Sequence, residues 1–337
     1  MSERSQSRNW VGFDLGGTKM LAQAYDDDLK VIGRERRKTK ASAGTDSGLE
    51  RIQEAIKTAL DQAGIAPEQL SGIGIGCPGP VDMEAGVVLN PPNLAWRDVP
   101  IGRKLQEHFG CPVAVLNDVD SGVYAEYRFG AGQGARCVVG VFPGTGVGGG
   151  CVYKGEIFRG AKTTCMEIGH VQVMPEGPLC GCGRRGCLEA VASRLAISAT
   201  AAKAAYRGDA PHLKEHGGTD IAEIRSSALA EAIKGGDKVV EEIVREAARQ
   251  IGIAVAGVIH LMSPEIVVLG GGLLEAMHDA FIDQVSKSAR KRVMPAYKNT
   301  FEVVGSKLGD DAVALGAAAW AQHKFAAAAV ERAAVPA

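Results

Sequence analysis

Three cysteines and one histidine, at His170, Cys180, Cys182 and Cys187, lie within eighteen residues. Their spacing is H-x9-C-x-C-x4-C, in a stretch rich in glycine. Three thiolates and one imidazole are the ligand set of a closed, tetrahedral, structural zinc site. Free thiols or a disulfide are the alternative, but free cysteines are usually buried rather than grouped in a glycine-rich loop. The spacing therefore favours zinc.

Two glycine-rich turns have the composition of phosphate-binding loops. Residues 14–19 read Asp-Leu-Gly-Gly-Thr-Lys, and residues 144–150 read Gly-Thr-Gly-Val-Gly-Gly-Gly. Backbone N–H groups of such turns approach a phosphate closely, and the Asp14 carboxylate can hold Mg²⁺ through water. Tight hairpins that need glycine are the alternative. Residues 144–149 do not form a dinucleotide site, because a strand and a turn follow where that motif requires a helix.

Three carboxylates are placed where a substrate could meet them. Asn117 and Asp118 follow a short apolar strand, at the edge where open α/β sheets bind ligands. An aspartate there can accept the proton of a hydroxyl that attacks a phosphoryl group. Capping of a helix predicted from about Ser121 explains the pair equally well. Glu167 and Glu189 flank the cysteine cluster, where they can accept hydrogen bonds from a polyol or simply be solvated.

Strand-like and helix-like segments alternate along the chain, which predicts an α/β fold. The strands are predicted at 10–14, 19–25, 31–39, 72–76, 113–116, 137–142 and 266–269, and the helices at 49–63, from about 121, 239–261 and 311–325. Residues 11–25 align without gaps on residues 139–153, and each copy reads strand, glycine turn, strand. This repeat predicts two like lobes that face each other across a cleft.

The composition excludes several classes of protein. With 337 residues, a net charge of −1 and a mean hydropathy of zero, the chain has the size of about two domains. It has no global field that would hold nucleic acid or an anionic membrane. No apolar run is long enough to span a bilayer, and residues 1–9 lack the apolar core of a signal peptide. We therefore expect a cytoplasmic protein without nucleic-acid or membrane partners.

Taken together, these motifs resemble those of the ROK family of repressors and sugar kinases. The resemblance covers about residues 10–322 and rests on six segments. These are 14–19, similar to its opening phosphate motif; 76–82, similar to G-x-P-G-x-V-D; 93–96, similar to the N-L-x-W of its glucokinases; 116–118, similar to its catalytic N-D; 167–170, which match E-x-G-H; and 180–189, which match C-x-C-G-x-x-G-C-x-E in full.

The resemblance implies an actin-like, ribonuclease-H-like α/β fold of two duplicated lobes with a cleft between them. We expect a disordered polar tail at 1–9 and a small lobe at 10–118, completed by a C-terminal helix at about 311–325. A large lobe at 119–310 would carry the zinc loop 170–187. Because members of the family are commonly oligomeric, we expect a homodimer or a homotetramer.

The resemblance also implies ATP with Mg²⁺, and transfer of the γ-phosphoryl group to a hexose hydroxyl, usually O6, with Asp118 as general base. The implied sugar-binding residues are Asn93, Asn117, Asp118, Glu167, His170 and Glu189. The implied nucleotide- and metal-binding residues are Asp14, Gly16, Gly17, Thr18, Lys19, Gly144, Thr145 and Gly146, with Gly271 near the adenosine. One ring nitrogen of His170 would bind zinc and the other the sugar, so the zinc would fix these residues in one frame.

The N-L-x-W segment favours glucose, which would become glucose 6-phosphate. N-acetylglucosamine, N-acetylmannosamine and mannose are alternatives. The family commonly has G-x-A-G before E-x-G-H, whereas residues 163–166 read Thr-Thr-Cys-Met, and this bulk is expected to reshape the sugar pocket.

A sugar-sensing regulator is the other class of function, disfavoured because only nine polar residues precede the first predicted strand. A polyphosphate donor would need a long basic track, which the balanced charge does not supply.

Overall fold

The computed structural model describes residues 8–40, 44–91, 94–161 and 165–333. The strands are β1 (Asn9–Leu15), β2 (Lys19–Tyr25), β3 (Val31–Lys38), β4 (Leu70–Cys77), β5 (Val81–Asp82), β6 (Val87–Val88), β7 (Val113–Asn117), β8 (Cys137–Pro143), β9 (Val147–Tyr153), β10 (Glu156–Ile157), β11 (Ile266–Leu269) and β12 (Glu302–Gly305). The helices are α1 (Thr45–Ala63), α2 (Ile101–Phe109), α3 (Asp118–Phe129), α4 (Leu188–Ala192), α5 (Arg194–Arg207), α6 (Pro211–Gly217), α7 (Ser226–Gly235), α8 (Lys238–Met262), α9 (Gly272–Arg292) and α10 (Ala312–Ala333). None of the helices in this described part of the chain is long and apolar enough to cross a membrane.

The chain divides into two compact units. The first contains the described residues up to Phe129, the segment Ile157–Cys165 and the residues from Asp310 onward. The second contains Gly130–Glu156 and Met166–Gly309. β1 begins at Asn9, within the segment predicted to be a tail; residues 1–7 of that prediction lie outside the described residues.

The first unit is built on a five-stranded sheet in the order β3-β2-β1-β4-β7. β1 pairs antiparallel with β2 and parallel with β4, and β7 continues the parallel part. Alternate apolar residues of β1, including Phe13 and Leu15, share one core with Ile52, Ile56 and Leu60 of α1. Burial of side chains of this size contributes about 1.5–3 kcal/mol each, and it holds α1 on one face of the sheet.

Helix α10 packs at very short range on the strands of this sheet. A Cβ at Gly12 of β1 would lie 1.9 Å from the carbonyl oxygen of Ala314, and one at Gly74 of β4 would lie 1.8 Å from that of Ala317. Only glycine allows a helix backbone to approach a strand this closely. The glycine content of these strands is therefore a packing requirement.

The same helix joins α3 to the first unit. A Cβ at Gly316 of α10 would lie 1.8 Å from the carbonyl oxygen of Ser121, and the rings of Tyr124 and Trp320 meet edge to face at 5.0 Å. This packing is why the unit extends to Phe129, whereas the sequence analysis put the boundary after Asp118.

The second unit contains a sheet in the order β10-β9-β8-β11-β12. β8 pairs antiparallel with β9 and parallel with β11, which pairs parallel with β12. The apolar residues Val139 and Val141 of β8 and Val267 of β11 share one core with Ile251 and Val255 of α8. The longest helix of the described chain thus packs in the core of the second unit.

The two sheets confirm the internal repeat. β1 and β8 begin at Asn9 and Cys137, and β2 and β9 begin at Lys19 and Val147, so each step is 128 residues. In each sheet the first strand of the hairpin has one antiparallel and one parallel neighbour. The pairing differs by one residue, because the paired ends of the turn are Leu15 with Met20 in one copy but Pro143 with Val147 in the other.

Candidate active site

Residues 16–19, between the end of β1 and the start of β2, form the predicted phosphate turn of the first unit. A Cβ at Gly16 would lie 2.6 Å from the carbonyl oxygen of Lys19, so the turn has no room for a side chain there. Thr39 ties the turn to the end of β3: its hydroxyl donates to the Gly16 carbonyl at 2.6 Å, and its N–H donates to the Thr18 carbonyl at 2.9 Å. Thr18 and Lys19 are exposed and Gly17 is half-buried. The turn therefore presents backbone, a hydroxyl and an ammonium group to solvent.

Asp14 lies at the end of β1, next to this turn. Burial, the largest cause, acts with the negative charges of Asp118 and Asp310 to raise the pKa of its carboxyl to about 7, while Arg36 acts in the opposite direction. Asp310 is itself paired with Arg36 at 3.2 Å. Two carboxylates thus act on Asp14 at this edge of the first sheet, where a cation would relieve the repulsion.

Asn117 and Asp118 occupy the junction of β7 and α3. The helix begins at Asp118 and not, as predicted, near Ser121. The side-chain oxygen of Asn117 accepts the N–H groups of Val119 at 2.8 Å and Asp120 at 3.2 Å, so the capping role belongs to Asn117. Asp118 is the first residue of α3, where the helix dipole stabilises a negative charge.

The side-chain amide of Asn117 also reaches the turn that follows β4. It donates to the Gly79 carbonyl at 3.1 Å. Since a primary amide has two donor hydrogens, one remains after this bond to the Gly79 carbonyl. Asn93 lies outside the described residues. The neighbouring Leu94 and Trp96 are buried, so this part of the N-L-x-W segment belongs to the core.

The turn between β8 and β9, residues 144–146, is the corresponding glycine turn of the second unit. The N–H of Gly144 donates to the Gly146 carbonyl at 2.8 Å, and the Arg194 N–H donates to the Gly144 carbonyl at 2.8 Å. The Arg194 guanidinium donates to the hydroxyl of Thr145 at 3.3 Å. A Cβ at Gly146 would lie 2.4 Å from a carboxylate oxygen of Glu189. The glycine at this position leaves space for that carboxylate.

Glu189 connects this turn to the cysteine cluster. One of its oxygens accepts the Val147 N–H at 3.2 Å, and the other accepts the Cys180 thiol at 3.7 Å. Glu189 lies on α4, directly after the cysteine loop. A carboxylate that was predicted only as a sugar-binding group is therefore also a bridge between the turn and the loop.

His170, Cys180, Cys182 and Cys187 come together as predicted. Their four ligand atoms all lie within 4.8 Å of one another. The Cys180 sulfur lies 3.7 Å from Nδ1 of His170, and the sulfurs of Cys182 and Cys187 lie 3.6 Å apart. Sulfurs bound about 2.3 Å from one tetrahedral ion lie about 3.8 Å apart. The donor set and its spacing fit zinc, with Nδ1 of His170 facing the cluster.

Glu167 immediately precedes the short 3-10 turn Ile168–His170. The backbone N–H of His170 donates to the Glu167 carbonyl at 3.0 Å. The turn packs on β9 at two glycines. A Cβ at Gly149 would lie 2.4 Å from the Met166 carbonyl oxygen, and one at Gly169 would lie 2.2 Å from the Val147 carbonyl oxygen. Met166 itself has φ of 62°, a left-handed conformation that favours glycine. Residues 163 and 164 of the predicted bulky segment lie outside the described residues.

Gly271 is the residue before α9 and has φ of 92°. A Cβ there would lie 2.6 Å from the Pro143 carbonyl oxygen at the end of β8. A glycine is therefore required where the chain passes from β11 into the helix beside the end of β8.

Sequence reasoning missed several neighbours of the site. In the first unit, Thr39 donates a hydrogen bond to Gly16, and the charges of Arg36 and Asp310 act on Asp14. In the second unit, Arg194 donates to Thr145. None belongs to a motif, and each lies far along the chain from its partner. Only the register of β3 against β2 could have pointed to Arg36 and Thr39.

Comparisons with known proteins identify the family of this chain. The sequence profile of the ROK family matches residues 10–324. A glucokinase of Thermotoga maritima is 37% identical over 311 residues, which are 91% of this chain and 95% of that protein. The crystal structure of a ROK family glucokinase from Streptomyces griseus in complex with glucose and AMPPNP has a TM-score of 0.80 and 32% identity, covering 94% of this chain and 99% of that one. A xylose repressor of Caldicellulosiruptor bescii is 29% identical over 91% of this chain and 76% of that protein.

The chain belongs to the ROK family. Its two α/β units have the actin-like, two-lobe architecture of ROK glucokinases, as the motifs predicted. The family and the fold class are therefore confirmed.

Proposed function

We propose that this protein is an ATP-dependent glucokinase that converts glucose to glucose 6-phosphate. The observation that carries the proposal is the position of Asp118, at the start of α3 and close enough to Asp14 to raise its pKa. A carboxylate beside a phosphate turn can serve a hydroxyl that attacks a phosphoryl group. The similarity to glucokinases over nine-tenths of the chain supports the same activity.

Asp118 acts as the general base. It accepts the proton of the sugar O6 hydroxyl as that oxygen forms a bond to the γ-phosphorus of ATP. The bond between the γ-phosphorus and the bridging oxygen breaks at the same time, and ADP leaves with the electron pair. Asn117 holds the helix end that fixes the position of this carboxylate.

The two glycine turns bind the nucleotide. In the first unit, the assigned groups are the backbone of Gly16 and Gly17, the Thr18 hydroxyl and the Lys19 ammonium group. In the second unit, they are Gly144, Thr145 and Gly146, with Gly271 near the adenosine. Bare N–H groups and a cation suit a phosphate chain.

Mg²⁺ would be held through water by Asp14, and when bound it would neutralise charge on the phosphates. The cluster of Asp14, Asp118 and Asp310 fits a cation, because their mutual repulsion is what the ion would relieve. Asp14 is thus assigned to the metal and Asp118 to the proton.

Zinc would be a resident structural ion of the second unit, bound by the four-residue cluster. Nδ1 of His170 faces the cluster, which leaves Nε2 for a sugar hydroxyl. Glu189 contacts the Cys180 thiol, and Glu167 begins the turn that ends at His170. The ion would therefore fix three sugar-binding side chains at once.

The proposal extends to a homodimer or homotetramer located in the cytoplasm, where a kinase has access to ATP. It predicts no nucleic-acid partner and a role at the entry of glucose into carbohydrate metabolism.

The test is a coupled ADP-release assay with Mg·ATP and glucose, mannose, fructose, N-acetylglucosamine and N-acetylmannosamine. Glucose is expected to have the highest kcat/KM. A Met166→Gly variant is the companion, since it restores the residue that the family commonly has beside Glu167. A preference for another sugar would overturn the glucose assignment while leaving the kinase, and a change of preference in Met166→Gly would locate the cause. A lack of turnover on all five sugars would favour a sugar-sensing regulator.

A further inference from the structure

The edge strand β3 brings a second lysine to the phosphate turn. Lys38 is the direct cross-strand partner of Lys19, and Arg36 is the next residue along β3 on the same face. Both lysines are exposed. Neither forms an ion pair with any residue that the structure describes, whereas Arg36 is paired with Asp310 at 3.2 Å.

Two ammonium groups at directly opposed positions of an antiparallel pair destabilise the sheet. Lysine on an edge strand often serves to prevent unwanted strand pairing, which would account for Lys38 alone. It does not account for Lys19, because β2 is an inner strand with β1 on one side and β3 on the other. An anion that lies beside both lysines would relieve the repulsion between them.

The backbone around Lys38 is fixed against the phosphate turn. The next residue, Thr39, donates to the carbonyl oxygens of Gly16 and Thr18, and the Arg51 guanidinium donates to the Lys38 carbonyl. Lys38 therefore cannot move away from the turn without breaking these bonds. The backbone of Lys38 is thus held beside the turn that presents Thr18 and Lys19, within reach of a flexible ammonium group.

We propose that Lys38 is a phosphate-binding residue of the donor site, acting with Lys19 on the terminal phosphates of the nucleotide. The proposal rests on the proposed function for the identity of the donor. Asp14 lies on the same face of the sheet, since it pairs with Leu21 and Leu21 pairs with Arg36. Carboxylate and ammonium groups thus share one face, which suits a phosphate chain that carries a divalent cation.

The experiment measures binding of ATP and of AMP, without sugar, to wild type, Lys38→Met and the control Lys104→Met. Lys104 is an exposed lysine of α2 in the same unit. In Lys38→Met we expect ATP affinity to fall about three- to tenfold, with the loss shrinking at high salt. AMP affinity and the KM for glucose should not change, because AMP lacks the terminal phosphates. Lys104→Met should match wild type throughout.

The urea midpoint of the unliganded protein separates binding from a structural role. It should be equal or higher in Lys38→Met, since the variant removes a repulsion. Unchanged ATP affinity, an equal loss of AMP affinity, or a lowered urea midpoint would each overturn the proposal. Because binding is read without turnover, a wild type that binds ATP but phosphorylates no sugar would contradict the proposed function and not the role of Lys38.

Discussion

Single residues of the candidate site are held in states that cost stability before any ligand binds. Asp14 keeps a carboxyl group where burial and the charges of Asp118 and Asp310 oppose its ionisation. The backbone of Met166 has φ of 62°, a conformation that costs about 1–2 kcal/mol for a residue other than glycine. Such strain clusters at sites where ligands bind.

The Asp14 carboxyl predicts a pH dependence of stability. Its folded pKa of about 7 lies above the model-peptide value of 3.8, so the folded state binds a proton that the unfolded state has lost between these values. The protonated Asp14 carboxyl makes a contribution to the free energy of unfolding that is fully present below about pH 4. This contribution is lost as the pH rises from about 4 through 7, by at most about 1.4 kcal/mol per pH unit. Without nucleotide or metal, Asp14→Asn should therefore be more stable than wild type at pH 8, although inactive as a kinase.

The measurement is the urea midpoint at pH 5 and pH 8, with Asp61→Asn as the control, an exposed aspartate of α1 in the same unit. The gain of Asp14→Asn over wild type should be larger at pH 8 than at pH 5, and Asp61→Asn should show no such trend. Parallel pH profiles for wild type and Asp14→Asn would contradict the assignment of a strained carboxyl.

Met166 shows what the sequence could not reveal at the scale of a residue. Its departure from the family pattern was visible, and it was interpreted only as bulk near the sugar. The left-handed backbone explains why a glycine suits this position, and the side chain of Met166 packs against the core of the second unit. A dihedral angle of this kind depends on the packing of residues 166–170 against β9, which no local pattern encodes.

Among the elements, the cysteine loop with α4 is the most specialised. It passes from the 3-10 turn at His170 through three cysteines to Glu189, which also holds the Val147 N–H beside the second glycine turn. The loop contains little regular structure of its own, so the ion would replace the hydrogen bonds and core contacts that hold a helix or strand.

The purified protein should accordingly carry about one zinc per chain. Cys182→Ser should lower the zinc content and raise the KM for glucose more than the KM for ATP, since His170, which we propose to bind the sugar, would depend on the same ion. Cys111→Ser is the matched control, because Cys111 is a free cysteine of the first unit and lies outside the cluster. Metal analysis that finds no zinc in active, folded protein would refute the site.

The elements around the two glycine turns were predictable because their signals are local. Alternating apolar residues and glycine turns predicted β2 with its observed ends and β1 within one residue. The start of α3 was wrong by three residues, because the capping oxygen comes from Asn117 and the helix therefore includes Asp118. The short strands β5, β6, β10 and β12 have two to four residues each, too few to show a period.

In the whole molecule, one duplicated sheet carries two different sets of side chains. The repeat of 128 residues reproduces the hairpin and the strand order, yet the first copy carries the carboxylates and the second carries the cysteine cluster. The paired strands β1–β2 and β8–β9 were predictable from the repeat, because it contains both strands and the glycine turn of each pair. The assignment of α3 and of Ile157–Cys165 to the first unit was not, since it depends on contacts between segments far apart in sequence.

The turnover of Asp118→Asn with Mg·ATP and glucose tests whether Asp118 is the base of a sugar kinase. The substitution keeps the shape of the side chain and removes its ability to accept the proton. We expect kcat to fall about 10²- to 10⁴-fold, with ATP and glucose affinities close to those of wild type and of Asp61→Asn. A variant that retains near-normal kcat would contradict the account.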